Sequence, residues 1–94
     1  MPKTLHLTLT HHWWEEIAAG RKTSECRRFT EGWRKRLNRL NPGDVIVFHR
    51  GYTNRTLTRQ IKGMRVIPGW DLPNDVYKFF GCPNETKFFE IQFQ

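Results

Sequence analysis

Cysteine is scarce in this chain. Its two cysteines, Cys26 and Cys82, stand far apart and form no C-x-x-C pair. Two thiols so placed do not build a disulfide framework, and both are expected to be free and buried. Long apolar runs are also missing. None approaches the roughly 18–20 residues that a membrane span needs. No secretory hydrophobic segment precedes the cysteines, so a soluble, cytoplasmic protein is expected. Repeats, low-complexity tracts and linkers are absent too, which leaves residues 1–94 as one expected domain. Acids are the last shortage. Nine Asp and Glu face sixteen Lys and Arg, a formal net charge of +7. That balance favours a polyanionic partner.

Aromatic residues, by contrast, are plentiful. Four Trp and seven Phe let a small core bury a large area per residue. Their arrangement reads as alternating elements. "LHLTLT" places Leu5, Leu7 and Leu9 on one face of a strand and His6, Thr8 and Thr10 on the other. Thr10 is placed to cap a short helix, "HHWWEEIAA", whose Trp13, Trp14, Ile17 and Ala18 form a stripe, and Gly20 supplies its stop. A second helix is expected from Thr30, with Trp33, Leu37 and Leu40 at packing intervals. "NPGD" is a turn, and "VIVFH" reads as a strand covered on both faces. "LTRQIKGMRVI" reads as a long strand whose Gly63 marks a bulge or bend. "NDVYKFF" is a turn or two of helix, and "KFFEIQF" a closing strand. The order β-α-β-α-β-β-(α)-β predicts an α+β barrel or curled sheet with helices outside.

The positive charge is local. Between Arg21 and Arg39 lie eight basic residues against two acids, Glu25 and Glu31, which accounts for nearly the whole net charge. Binding phosphate at cellular salt needs several such contacts acting together. Arginine predominates, which suits forked contacts with phosphate and stacking on bases. Aromatics interleave with this run. Trp33, in helical register with two leucines, reads as core, whereas Tyr52 and Trp70 fall in polar loops and read as stacking platforms. Within "RKTSECRR", period two puts Thr23, Glu25 and Arg27 on one face and Lys22, Ser24, Cys26 and Arg28 on the other.

"GRKTSECR" (Gly20 to Arg27) resembles the G-x-K-x-x-E-x-R signature of the ASCH domain, a branch of the PUA-like superfamily. The resemblance extends through "LHLTL", "WWEEIAAG", "GWRKRL", "FHRGY" and "FFEIQF", in the family's order and over most of the chain. It implies a PUA-like/ASCH curled β-barrel with helices packed outside. It also implies binding of RNA or single-stranded nucleic acid, including a modified nucleotide, in a basic cleft beside the barrel. Lys22, Glu25 and Arg27 would line that cleft. Arg34, Arg36 and Arg50 would neutralise phosphates, and Tyr52 and Trp70 would stack on bases or wall the pocket. The other reading of Glu25 and Arg27 is a structural pair on one face of the sheet.

Two enzyme readings stand beside binding. One branch of the family hydrolyses an acylated cytidine with a Lys, Thr and Glu set. Lys22 falls on the Lys position, but Glu25 occupies the place of the nucleophilic Thr, and a carboxylate does not replace a hydroxyl without changing the mechanism. A metal-independent ribonuclease would recruit His49, Lys22, Arg50 and Tyr52. A protein–protein adaptor using exposed tryptophans is the third class. His11 and His12 are adjacent on a helix and cannot both face one metal, so neither metal nor cofactor is expected. The chain is read as a monomer.

Overall fold

The computed structural model describes residues 2–81, 83–84 and 86–94. Cys82, expected as a buried thiol, lies outside them. Five strands and three helices follow the expected order: β1 (Thr4–Leu9), α1 (His11–Ala18), β2 (Ser24–Arg28), α2 (Glu31–Leu37), β3 (Val45–Arg50), β4 (Thr56–Pro68), α3 (Asn74–Phe79) and β5 (Lys87–Phe93). A short 3-10 turn, Gly69–Asp71, joins β4 to α3.

The strands form one curled, open half-barrel in the order β1-β3-β4-β5-β2. β1 runs parallel to β3, and every other pair is antiparallel. The first and last strands of this order, β1 and β2, are its two edges. The alternation read in β1 is the alternation found: Leu5, Leu7 and Leu9 are buried between exposed neighbours. They join Ile46, Phe48, Ile61, Ile91 and Phe93 in the main core, and Trp14, Ile17, Leu37 and Leu40 pack onto it from α1 and around α2. A smaller cluster of Cys26, Ile67, Leu72, Val76 and Phe88 seats α3 against the sheet. Trp13 packs against both clusters. The register between β4 and β5 shifts between Ile61 and Gly63, the bulge expected at that glycine.

Local chemistry explains the element ends. Thr30 caps α2, its Oγ1 accepting from the Trp33 amide at 3.3 Å. Thr10 precedes α1 with an extended backbone, but its hydroxyl makes no capping bond; the Trp14 amide donates to the Thr10 carbonyl instead. Ala18, expected on the buried stripe, is exposed because α1 ends there, and only Trp14 and Ile17 are fully buried. The Trp14 indole N–H donates to the Phe48 carbonyl at 3.0 Å and pins α1 to β3. Gly20 then turns the chain at φ 79°, a left-handed conformation that glycine adopts without strain. No helix among the described residues is long and apolar enough to cross a membrane.

Candidate functional site

The two sheet edges do not pair with each other, and a cleft of about 110 Å³ opens where they approach. Thr8, Leu9 and Thr10 come to it from the end of β1, and Glu25, Cys26 and Arg27 from β2. Trp13 of α1 and Val76, Phe79 and Phe80 around α3 close its sides. This is smaller than the roughly 300–1,000 Å³ of a site for drug-sized ligands, and it suits a single ring.

Lys22 reaches the cleft through the turn after α1. Beyond Gly20, the amides of Arg21 and Lys22 both donate to the Glu16 carbonyl, which folds the chain back over the helix end. Period two had put Lys22 on the face opposite Glu25. The strand begins only at Ser24, however, so Lys22 is not bound by strand alternation. Its Nζ lies 3.8 Å from Glu25 Oε1 and 5.0 Å from the centre of the Trp13 ring. Arg27 does share its face with Glu25 and donates from Nη2 to Glu25 Oε2 at 3.3 Å.

Glu25 is thus one carboxylate serving two cations. It is only 7% exposed, and its Oε1 also accepts from the Cys26 amide at 3.0 Å. Both cations are largely buried, with side-chain exposures of 11% for Lys22 and 25% for Arg27. The three side chains leave one positive charge uncompensated inside a partly desolvated cleft, where Coulomb interactions are stronger than in water. Arg27 Nε is buried and has no hydrogen-bond partner among the described residues. An unmade bond of this kind costs free energy until something accepts it.

Cys26, between Glu25 and Arg27, belongs to the smaller core cluster beneath the cleft and is 2% exposed, as expected of a core thiol. Burial pushes its pKa up to about 12; Lys22 opposes the rise, Glu25 and Glu90 add to it, and Arg27 opposes it more weakly. It is therefore a neutral thiol at ordinary pH and not a ready nucleophile.

The other expected site residues lie elsewhere. Arg34 is exposed and pairs with Glu31 through Nε at 3.1 Å and Nη2 at 2.8 Å. Arg36 lies over the Trp33 ring at 4.3 Å and donates to the His6 carbonyl at 3.3 Å. Arg50, at the end of β3, is held by Glu15 at 2.9 Å. Tyr52 and Trp70 are exposed and line no part of the cleft. Trp33 is half-buried and packs on the main core, in keeping with its reading as a core residue.

Sequence reading did not single out Thr8, Thr10, Phe79 or Phe80 for the site. The adjacent phenylalanines at the end of a short helix were the available signal, because a helix that short cannot bury both. Phe79 is 59% exposed and meets the edge of Trp13 at 5.7 Å between ring centres. No group of three or more His, Cys, Asp and Glu side chains converges as a metal site among the described residues.

No family model matches the chain, and no curated protein matches it. Two of the crystal structures that resemble it illustrate the likeness. One, of hypothetical protein PH0355, has a TM-score of 0.61 at 21% identity and matches over 97% of each chain. The other, of a serine-to-alanine mutant of ZmASCH from Zymomonas mobilis, has a TM-score of 0.64 at 14% identity. It covers the whole of this chain and 70% of that one. At these identities the likeness is one of architecture alone: the fold resembles the curled half-barrel of the PUA-like and ASCH proteins.

Proposed function

We propose that this protein binds single-stranded nucleic acid, RNA or DNA, and takes one base of it into the cleft between β1 and β2. The observation that carries this reading is the composition of that cleft. Two cations share one buried carboxylate, an arginine Nε has no partner among the described residues, and aromatic rings form the walls. A base offers what such a cleft lacks: carbonyl and ring-nitrogen acceptors for Lys22 and Arg27, and a π-face for Trp13 or Phe79. Stacking of this kind is worth ~1–3 kcal/mol per base. Glu25 then acts as a positioning residue, holding both cations toward the cleft. The experiment is a titration of nucleoside monophosphates and of abasic ribose phosphate, followed by tryptophan emission. Base-bearing ligands should saturate the signal and the abasic one should not; equal responses would remove the base from the account.

One observation supports a hydrolytic second reading. Thr8 and Thr10, both hydroxyl-bearing residues, line the same cleft as Lys22 and Glu25. Turnover of an acylated cytidine that disappears in Lys22→Ala would favour hydrolysis over simple binding. Binding without turnover would favour the first reading.

A further inference from the structure

A second, larger groove of about 570 Å³ runs between β1 and the end of α2. Its charged lining is Lys3, Arg36 and Arg39, with His6 beside them, and no carboxylate lines it among the described residues. Asp44 lies beside Lys3: its carboxylate accepts from the Lys3 amide at 2.9 Å and the Asn41 amide at 2.8 Å, and it also attracts the Lys3 charge. Most other arginines of the surface have acidic partners. Arg21 pairs with Glu16, Arg34 with Glu31, Arg50 and Arg55 with Glu15, and Arg65 with Glu90.

Two of the groove cations are held by carbonyl oxygens, and none of the three is within salt-bridge distance of a carboxylate among the described residues. Lys3 Nζ donates to the Arg39 carbonyl at 2.6 Å, and Arg36 Nη2 to the His6 carbonyl on the β1 edge. The His6 ring is fixed in turn, its Nδ1 2.9 Å from His49 Nε2. A carbonyl oxygen orients a cation and leaves its full charge for another ligand. The groove is also joined to the cleft. The guanidinium of Arg27, which lines the cleft, and that of Arg36, which lines the groove, both lie over the ring of Trp33, at 5.2 and 4.3 Å.

We propose that this groove is a phosphodiester site, the track that carries the backbone of a single strand away from the base held in the cleft. It rests on the nucleic-acid reading above and extends it from one nucleotide to a strand of several. The chemistry recognised is a row of phosphate monoanions, met by three cations and indifferent to base identity. Three such contacts on a single strand give a salt exponent of about −2, or about a 20-fold loss of affinity between roughly 50 and 200 mM salt.

The probe that isolates the groove is a short abasic deoxyribose-phosphate oligomer, compared with a nucleoside monophosphate that addresses the cleft alone. The variants are Lys3→Gln and Arg39→Gln together, both exposed positions outside the cleft, with circular dichroism to verify the fold. The wild type should bind the abasic oligomer with the steep salt loss. The double variant should keep only about a 3-fold salt loss and should bind the monophosphate as the wild type does. Should the monophosphate fail to bind while the abasic oligomer binds through Lys3 and Arg39, the cleft reading falls and the groove stands. The reverse, a monophosphate that binds and an oligomer that does not, overturns the groove and leaves the cleft. Competition by polyglutamate as effective as that by the oligomer also overturns it, because a phosphodiester track must prefer phosphate over carboxylate.

Discussion

Arg27 and Arg36 come from different elements, a strand and a helix, yet their guanidinium groups lie over one ring, the indole of Trp33. Each contact is worth about 0.5–1 kcal/mol at exposed sites and more where water is excluded. The ring therefore does two jobs. It packs on the main core and carries two arginines over its ring. Trp33→Leu keeps the apolar packing and removes the π-face. Affinity for a single-stranded oligomer should fall several-fold, with the fold intact by circular dichroism. Unchanged affinity would mean that the arginines need no such support.

Burial separates the two acids of the basic segment. Glu25 is enclosed and serves two cations and an amide, whereas Glu31 meets Arg34 on an exposed helix face. Glu25→Gln should destabilise the protein by about 1–3 kcal/mol, the usual range for charge-assisted bonds lost from a buried acceptor. Glu31→Gln should leave the melting temperature nearly unchanged, because a pair screened by water contributes little. Urea unfolding of both variants makes the comparison. Equal effects would mean that the Glu25 network is not closed to solvent.

Cys26 makes stability depend on alkaline pH. Its thiol is held neutral up to about 12 in the folded chain, against an ordinary value of 9.0. A raised pKa contributes stability that is complete below the unfolded value and is lost as pH climbs toward the folded one. Cys26→Ala removes this dependence along with some packing, and Cys82 is present in both proteins. The stability gap between wild type and variant should narrow by about 1 kcal/mol between roughly pH 8 and pH 10. A constant gap would show that the thiol ionises as freely folded as unfolded.

Much of the fold was legible because its signals are local. "KFFEIQF" is β5 residue for residue, the second helix read from Thr30 begins at Glu31 with Thr30 as its cap, and Gly63 marks the bulge. Glu25 and Arg27 pair because strand alternation puts them on one face. The misses arise where a tertiary contact decides. Lys22 escapes alternation because its amide is drawn to the Glu16 carbonyl, which no spacing rule reports. Phe79 and Phe80 reach the cleft because Val76 of α3 is seated on Cys26, Ile67 and Phe88, residues from three strands. The basic run itself divides by partner: Arg27 goes to the cleft, Arg36 and Arg39 to the groove, and Arg34 to Glu31. Composition reports the total charge and is silent on this division.

The most direct measurement is fluorescence anisotropy of a labelled single-stranded oligomer, titrated with wild type, Arg27→Ala and Arg59→Ala at about 50 and 200 mM salt. Arg27 lines the cleft, whereas Arg59 is half-buried on β4 and lines neither cleft nor groove. The account predicts saturable, salt-sensitive binding that Arg27→Ala weakens at least tenfold, about 1.4 kcal/mol, and Arg59→Ala by less than about twofold. Equal losses in the two variants, or no binding at the lower salt, would contradict it.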